Sequence, residues 1–452
     1  MSIIKRPPPV IANPFQPIIE EHKAQIGQYM ELVHPLDSKG RYLHFDEWRF
    51  RFPKGLDAAL AWSVIKFSRV SQLTPAIVLG DPAQTCQYMY TPAMHLAVSK
   101  CDQHTTTAQL EWMCSKIGEG KHLQYLLNDL VEDEAISSSQ LEGAATTTKA
   151  AKDLLKRNKG PRSADEKMII GNYKMMNYAW ENRDKDLTED LITELHKIGV
   201  EGIDDDKYHP GTFKNSDDVV VGDNGQIVHQ PPPVAGLHGR IVALCEWINK
   251  DHTDALSKDY MHPLIKAIIL HFAIGYEHPF HDGNGRVARS LFYWFMFKKG
   301  FSGFRYIAIS TLLKKAQIQY GKSYLYTETD NMDLTYFLDY QCRVVARAIS
   351  KFNSTYEKTA ESIMKFNAFL FQSGLYAKIS EKQRIILNVA KQGVASEFTI
   401  TNVKENLRCA YNTAANALNG LVELGIFRKE KFKNEWVYSM YDSEKIMKTW
   451  KS

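Results

Sequence analysis

One twelve-residue segment constrains this chain more than any other. It runs from His278 to Arg289 with the sequence HPFHDGNGRVAR. Before it, apolar residues recur at positions 264, 265, 268, 269 and 272, which is the spacing of one buried helical face. After it, a second helical pattern ends in Lys298, Lys299 and Gly300, a typical C-terminal end. The segment is therefore predicted to be a loop that joins two buried helices and begins the second.

The second half of the segment has the residue types of an anion-binding site. Gly283, Asn284 and Gly285 allow backbone N–H groups to converge, and the start of a helix adds partial positive charge. Arg286 and Arg289 are three residues apart, on one face of the first helical turn, where guanidinium groups hold phosphate oxygens. The pattern predicts a phosphate-binding loop.

The first half of the segment adds chemistry beside that loop. Asp282 is a hard oxygen ligand, suited to a Mg²⁺ ion that bridges two phosphates. His278 can accept a proton near neutral pH, and Phe280 is predicted to be buried and to anchor the loop. A polar surface loop with ordinary ion pairs does not account for so many specific residue types at fixed spacing. The segment therefore predicts a site that holds a nucleotide and deprotonates a hydroxyl beside it.

The segment resembles the motif of the Fic family, HxFx(D/E)GNGRxxR, and matches it at every defined position. The resemblance implies a mainly α-helical Fic/Doc-type core with one β-hairpin, the flap, that aligns a target segment. It also implies an enzyme, a protein adenylyltransferase that depends on ATP and Mg²⁺. Such an enzyme transfers AMP from ATP to a Ser, Thr or Tyr hydroxyl of a target protein and releases pyrophosphate.

The same resemblance implies a role for each residue of the motif. His278 would deprotonate the hydroxyl, and Asp282 would bind Mg²⁺ as well as nucleotide. The other nucleotide-binding residues that it implies are Gly283, Asn284, Gly285, Arg286, Arg289, Tyr320 and Tyr324. The three residues of the turn would form an anion hole, the arginines would hold the β- and γ-phosphates, and the tyrosines would lie near the adenine. Core packing is the alternative for the two tyrosines.

A short segment before the motif predicts the flap. Three valines and the sequence Ile-Val-His flank residues 222–225, which indicates a β-hairpin with a turn of about four residues. Pro231, Pro232 and Pro233 end it. Placed ahead of the Fic motif, this hairpin is expected to bind a target strand by β-augmentation. The residues expected at that edge are Val219, Val220, Val221 and Gly222.

Residues 138–143, with the sequence SSQLEG, resemble the (S/T)xxxE(G/N) inhibitory motif of regulated Fic proteins. The spacing places Ser138 and Glu142 on one helical face, and Gly143 is predicted to end the helix. A carboxylate in the last helical turn opposes the helix dipole, so Glu142 needs a cation, and Arg289 is the candidate. Once paired, Glu142 would occupy the γ-phosphate position and inhibit the enzyme. An exposed glutamate on a surface helix is the alternative, and a second role of Glu142 in AMP removal stays open.

The C-terminal part predicts a winged helix-turn-helix domain. Helices near 381 and 401 and a helix over 410–424 precede two strands near 428–430 and 436–438. From Ser380 onward the chain holds twelve Lys/Arg against eight Asp/Glu, and the basic side chains concentrate in the wing. That supply is thin for DNA binding by a monomer. Packing or protein contact is favoured, and a DNA-binding regulator with the Fic core as a self-modifying sensor is the alternative function.

These patterns divide the chain into four parts. Residues 1–115 are predicted to form a Pro-rich, irregular arm followed by short helices around Trp48 and Trp62, without strands. Residues 116–350 are the Fic core, with the inhibitory helix at about 123–143 and the flap at 209–233. A connecting helix over 351–379 leads to the winged helix-turn-helix over 380–452.

Composition sets the expected setting of the protein. Hydrophobic residues make up 44% and charged residues 24% of the chain, as in soluble globular proteins. The six cysteines are scattered, which favours free thiols in a reducing compartment. The N-terminus lacks the apolar region of a signal peptide, so a cytoplasmic protein without membrane contact is expected. The target, self-modification, a homodimer, and transfer of UMP or phosphocholine instead of AMP all stay open.

Overall fold

The computed structural model describes residues 4–117, 132–156, 160–203, 208–223, 226–254, 259–391, 397–432 and 435–450. The described residues are mainly helical, as the sequence predicts, and the strands pair into three separate two-stranded hairpins. None of the described helices is long and apolar enough to cross a membrane.

The chain divides into two compact units. The first comprises Met1–Thr106 and Val131–Ile349, and the second comprises Thr107–Leu130 and Ser350–Ser452. One long helix, α16 (Thr335–Gln372), passes through the boundary that the sequence predicts at residue 350. The domain boundaries proposed from the sequence stay predictions.

The other helices of the first unit are α1 (Phe15–Glu21), α2 (Ile26–Met30), α3 (Phe45–Trp48), α4 (Ala58–Val70), α5 (Pro92–His104), α7 (132–141), α8 (Thr148–Lys156), α9 (Ala164–Glu181), α10 (Glu189–Val200), α11 (Leu237–Asn249), α12 (Pro263–Glu277), α13 (Asn284–Lys298), α14 (Ser310–Lys315) and α15 (Gln317–Thr329). Those of the second unit are α6 (Thr107–Ile117), α17 (Leu375–Lys378), α18 (Glu381–Lys391), α19 (Ile400–Asn406), α20 (Tyr411–Glu423) and α21 (Ser443–Thr449). The predicted inhibitory helix begins at 123, but its residues before 132 lie outside the described ranges.

Two apolar helices form the centre of the first unit. Nearly every residue of α12 and α13 is buried. The two helices pack against each other, and the motif loop joins the end of α12 to the start of α13. Helices α9 and α10 pack against α13 and against each other. A side chain at Gly171 would collide with the carbonyl group of Gly199, so glycine is required where α9 and α10 meet. The buried pair of helices fixes both ends of the motif loop.

The N-terminal region is more regular than its sequence predicts. Helices α1 and α2 lie within the segment expected to be irregular. Strands β1 (Thr74–Leu79) and β2 (Gln84–Tyr88) form an antiparallel hairpin where no strand was expected. The register shifts between Pro75 and Ile77, and β1 buries its residues without strict alternation. The periodic signal of a half-buried strand is therefore missing from the sequence.

The hairpin of the flap is present, but its first strand begins two residues later than predicted. Its strands are β3 (Val221–Asp223) and β4 (Gln226–His229), which pair antiparallel with Val221 opposite His229. Val219 and Val220 precede the ladder, and Gly222 lies in the strand rather than in the turn. The prediction was wrong because the pairing ends at His229, so residues before Val221 have no partner in the ladder. Residues 224 and 225 lie outside the described ranges.

The second unit has its own core. Helices α18, α19 and α20 are followed by the antiparallel strands β5 (Phe427–Phe432) and β6 (Glu435–Met440). Leu418, Leu421 and Tyr438 are fully buried in this core, and Phe398 pairs with Tyr438 through two backbone hydrogen bonds. The order is three helices and then a hairpin. The interpretation of this unit as a winged helix stays a prediction.

Candidate active site

The motif loop begins where α12 ends. His278 has φ 49°, in the left-handed region that non-glycine residues seldom adopt, and its N–H donates to Ile274 O. Gly283 has φ 87°, which glycine adopts without steric cost, and α13 begins at the next residue. The segment is therefore a loop that opens a helix, as its sequence predicts.

Asn284 holds the loop through its side chain. Its Oδ1 accepts from Phe280 N at 2.9 Å, and its Nδ2 donates to Phe280 O at 2.8 Å. Phe280 itself is fully buried, which confirms the prediction that it anchors the loop. The side-chain amide of Asn284 is thus occupied within the protein, so only the backbone N–H of this residue is left for an anion.

A histidine of α10, which no local sequence pattern selects, supports the same loop. His196 donates Nε2–H to Asp282 O at 2.9 Å and accepts from Gly211 N at Nδ1, at 3.1 Å. Its ring stacks on Phe280, with 3.8 Å between the ring centres. Burial lowers the pKa of His196 to about 4, so the ring is neutral and makes both hydrogen bonds in one tautomer. His196 is distant from the motif in sequence, and only the fold brings it there.

Arg286 is a buried cation whose guanidinium group is only partly hydrogen-bonded. One guanidinium nitrogen, Nη1, donates to Gly199 O at 2.7 Å. Its Nε and Nη2 are buried and have no hydrogen-bond partner among the described residues. Nη2 lies 3.1 Å from the position that a Cβ on Gly283 would take. Burial lowers the pKa of Arg286, and an anion at the loop would satisfy its donors.

Arg289 is engaged by the segment that resembles the inhibitory motif. Its Nε donates to Ser138 Oγ at 2.9 Å, and its Nη2 donates to Ser138 O at 3.2 Å and to Glu142 Oε1 at 2.7 Å. Burial opposes the charge of Arg289, but the Glu142 carboxylate raises its pKa above the ordinary value. Ser138 and Glu142 therefore face the same arginine.

Helix α7 ends just before Glu142. Gly143 has φ 97°, and Ala144 N donates back to Ser139 O at 3.1 Å, which closes the helix end. Gly143 thus lies where the sequence predicts the stop. A side chain at Gly285 would collide with Glu142 Oε1, so the carboxylate lies against the start of α13.

A cavity of about 360 Å³ opens beside the loop. It brings together most of the residues that the motif and the resemblance select, namely His278, Asn284, Gly285, Arg289, Tyr320, Tyr324, Glu142 and Val221. Asp282, Gly283 and Arg286 lie on the adjoining loop and are not among its lining residues. His229, Gln317 and Glu328 also line it and were not selected from the sequence.

His278 has the protonation state of a base. Its Nδ1 donates to Gly275 O at 3.3 Å, which leaves the lone pair on Nε2. Burial lowers the pKa of His278 to about 4, so the ring is neutral at pH 7.

The two tyrosines form part of the cavity wall. Tyr320 OH lies 2.8 Å from His271 Nε2, and the Tyr324 ring stacks on Phe272 with 5.2 Å between ring centres. A side chain at Gly275 would collide with Tyr324 OH, so α12 and α15 approach closely here. Both tyrosines combine core packing with a place in the cavity wall.

Part of this chain is similar in sequence to known proteins. Residues 186–296 match the Fic/DOC family. The protein adenylyltransferase Fic of Nematostella vectensis is 31% identical over 133 residues, which are 28% of this chain and 27% of that protein. The protein adenylyltransferase fic-1 of Caenorhabditis briggsae is 33% identical over 116 residues, which are 25% of this chain and 22% of that protein. The chain thus spans about a quarter of the length of these curated relatives.

A search of solved structures also returns Fic proteins. A Fic family protein from Desulfovibrio desulfuricans shares 16% identity with a TM-score of 0.48, over 78% of this chain and 97% of that one. The sequence match begins before α10 and ends within α13, so it includes His196, the flap and the motif loop. Residues 186–296 of this chain thus match the Fic/DOC family.

Proposed function

We propose that this protein transfers AMP from ATP to a Ser, Thr or Tyr hydroxyl of a protein target. One observation carries the proposal: a neutral histidine base lies beside a loop whose buried arginine has unsatisfied donors. The match to the Fic/DOC family and the names of the curated relatives support the same activity.

The residues of the loop fit a nucleotide triphosphate. Arg286 and Arg289 supply guanidinium donors, and the start of α13 supplies backbone N–H groups and a favourable dipole. Tyr320 and Tyr324 offer aromatic faces to a base within the cavity. Asp282 is the residue that would hold Mg²⁺, which supplies positive charge to the phosphates when it is bound.

The transfer needs few chemical groups. Nε2 of His278 takes the proton from the target hydroxyl while the hydroxyl oxygen attacks the α-phosphorus of ATP. A new bond forms between the target oxygen and the α-phosphorus. The bond from the α-phosphorus to the oxygen that bridges the α- and β-phosphates breaks, and pyrophosphate leaves. Arg286, Arg289 and the backbone N–H groups hold the charge that collects on the departing phosphates. Strand β3 of the flap aligns the target segment by β-augmentation.

Glu142 holds this activity off. Its carboxylate occupies Arg289 at 2.7 Å and lies against Gly285, where a phosphate would otherwise bind. The Glu142 carboxylate would repel a phosphate at that place, and Arg289 would already be bound to Glu142. ATP then binds without its productive phosphate position, so the enzyme is autoinhibited. AMP removal assisted by Glu142, and transfer of UMP or phosphocholine, are alternatives within the same site.

Intact-mass measurement tests the proposal. The Glu142→Gly variant is incubated with Mg²⁺ and, in separate samples, ATP, UTP and CDP-choline, together with a cell lysate as a source of targets. AMP adducts from ATP alone are expected, and the Glu142→Gly/His278→Ala variant should form none. Adducts from UTP or CDP-choline in place of ATP would identify one of the alternative transfers. A Glu142→Gly variant that forms no adduct with any donor would contradict the transferase function.

A DNA-binding role for the second unit is the second candidate, because β5 exposes Arg428, Lys429 and Lys431. Two of these side chains are already engaged. Arg428 pairs with Glu430 at 3.5 Å, and Lys429 donates to Asn419 at 3.2 Å. A mobility-shift assay with duplex DNA at about 150 mM salt should therefore show no specific complex. A sequence-specific complex at that salt would favour the DNA-binding function instead.

A further inference from the structure

The flap is tied to the end of the helix that carries the base. Lys214 lies before β3 and is almost fully buried. Its backbone N–H donates to Pro279 O at 2.7 Å, and its Nζ lies 3.5 Å from Glu277 O and 3.3 Å from Pro232 O. Lys214 thus links the segments before and after the β3–β4 hairpin to Glu277 and Pro279, the two residues that flank His278.

His229, the last residue of strand β4, makes a second link between the flap and α12. Its Nε2 lies 2.9 Å from Tyr276 O, two residues before His278, and its Nδ1 lies 2.8 Å from Glu328 Oε2 on α15. A carbonyl oxygen only accepts, so Nε2 carries a proton. The bond to Glu328 then needs a further proton, on Nδ1 or on the carboxylate. The bridge between the flap and α15 is therefore a charged pair or a pair that shares one proton.

Both ties end on the same kind of acceptor. Tyr276 and Glu277 form the last turn of α12, whose carbonyl groups have no partner within the helix and carry its partial negative charge. A lysine ammonium and a histidine ring from the flap satisfy them. The arrangement gives the flap a fixed position relative to His278 that the short ladder of β3 and β4 does not provide by itself.

We propose that Lys214 and His229 are positioning residues for the transfer, which hold the flap in register with His278 by capping the last turn of α12. The inference rests on the proposed function, because it assigns a purpose to the distance between the target strand and the base. A strand bound to β3 then presents its hydroxyl at a set distance from Nε2 of His278. A displacement of about 1 Å at such a site costs on the order of 100-fold in rate.

The side chains of Lys214 and His229 also affect the pKa of His278. Burial is the main cause of the low pKa of His278, the positive charge of Lys214 lowers it further, and a protonated His229 acts in the same direction. Glu142 of α7 acts in the opposite direction. Arg289 of α13 and Glu328 of α15 also face the cavity that His278 lines. Removal of the Lys214 charge should therefore raise the pKa of His278, which a purely structural role for Lys214 would not do.

The test uses the full-length Glu142→Gly variant as the parent, with Lys214→Met as the test variant and Lys214→Arg as the rescue. Lys174→Met is the matched control, because Lys174 is an exposed lysine of the same unit that pairs only with Glu201 in the described contacts. The acceptor is the full-length chain carrying His278→Ala, and AMP incorporation is compared with total pyrophosphate release. NMR titration of the His278 ring gives a second readout that needs no activity.

We expect Lys214→Met to lower AMP incorporation per pyrophosphate released by roughly tenfold or more, with the KM for ATP unchanged. The titration of His278 should move to higher pH, Lys214→Arg should restore both values, and Lys174→Met should match the parent. Incorporation and titration at the parent's values in Lys214→Met would overturn the inference and leave the proposed function standing. A loss that Lys214→Arg does not restore would also overturn it. A parent that releases no pyrophosphate and forms no adduct would contradict the proposed function itself.

Discussion

His278 and Asn284 show how much of this site is decided by single side chains. The backbone of His278 lies in the left-handed region, a conformation that persists when the surrounding structure imposes it and that is common at active sites. Here the imposing structure is the loop from Phe280 to Asn284, closed by two hydrogen bonds of one amide side chain. The position of His278 therefore depends on a side chain that is bonded within the loop and does not bind the nucleotide itself.

Asn284→Ala should remove both hydrogen bonds and leave two backbone groups of a buried residue without partners. We expect this to destabilise the first unit by about 1–3 kcal/mol and to lower AMP incorporation of the Glu142→Gly variant by tenfold or more. Thermal unfolding and intact-mass rates measure the two effects. Asn182→Ala is the control, because Asn182 hydrogen-bonds Tyr178 O away from the site. Equal AMP incorporation by the folded fractions of both variants would contradict the role given to Asn284.

At the scale of elements, α7 is fastened to the core at several points besides Arg289. Glu134 accepts from Ser310 N at 2.8 Å and from Ser310 Oγ at 2.5 Å. Ser139 Oγ accepts from Asn172 Nδ2 at 2.8 Å, and Lys314 donates to Gln140 at 2.7 Å. We interpret α7 as a permanent part of the fold, so that release of the proposed inhibition requires movement of the Glu142 side chain rather than loss of the helix.

Glu134→Ala tests how α7 is held. The change leaves the N–H and hydroxyl groups of Ser310 without acceptors in a buried place, which should loosen the helix. Hydrogen exchange over residues 132–141 should become faster, and AMP incorporation should rise above that of the wild type but stay below that of Glu142→Gly. Gln140→Ala removes the exposed contact with Lys314 and should change both values much less than Glu134→Ala does. Unchanged exchange in Glu134→Ala would show that other contacts hold the helix.

The sequence predicted some elements well and others poorly, for physical reasons. Helices α12 and α13 were predictable because their apolar residues repeat at helical spacing, and the loop between them because its motif is specific. The pairing of Glu142 with Arg289 followed from the resemblance and from helix geometry, whereas the bond of Ser138 to the same arginine was not predicted. The hairpin of β1 and β2 was not predictable, because Ile77, Val78 and Leu79 are all apolar although Val78 is exposed. The contacts of His196, Lys214 and His229 join distant segments and have no local pattern.

On the scale of the whole molecule, the site is assembled from separate stretches of one unit. The family match covers 186–296, whereas Glu142 and Ser138 precede it and Tyr320 and Tyr324 follow it. The first unit therefore contains the proposed base, the proposed phosphate loop, the flap and Glu142, the proposed inhibitory residue. Its stability is a condition for activity, and buried histidines make that stability depend on pH.

His44, His196 and His271 are buried in the first unit, and burial lowers their pKa values to about 4, about 4 and about 3. The unfolded chain binds protons on these rings below about pH 6.5, whereas the folded chain does not, so stability falls as the pH drops from 6.5 towards 4. Each ring should cost about 2 kcal/mol at pH 5. Together they should lower the Tm by roughly 10 °C between pH 7.5 and pH 5.

Thermal unfolding at the two pH values checks this expectation. His196→Gln keeps polar groups at the site and removes one titrating ring, so the difference in Tm between pH 7.5 and pH 5 should shrink. His238→Gln is the control, because His238 is exposed. The same Tm at both pH values in the wild type would show that these rings do not control stability.

The claim that Arg289 is shared between the phosphates of ATP and Glu142 has one direct test. Rates of AMP incorporation from Mg²⁺ and ATP are measured for the wild type, Glu142→Gly, Arg289→Met and the Glu142→Gly/Arg289→Met double variant. Glu142→Gly should be much faster than the wild type, because Arg289 is released, and the double variant should be as slow as Arg289→Met. Equal rates for the wild type and Glu142→Gly, or a double variant as fast as Glu142→Gly, would contradict the account.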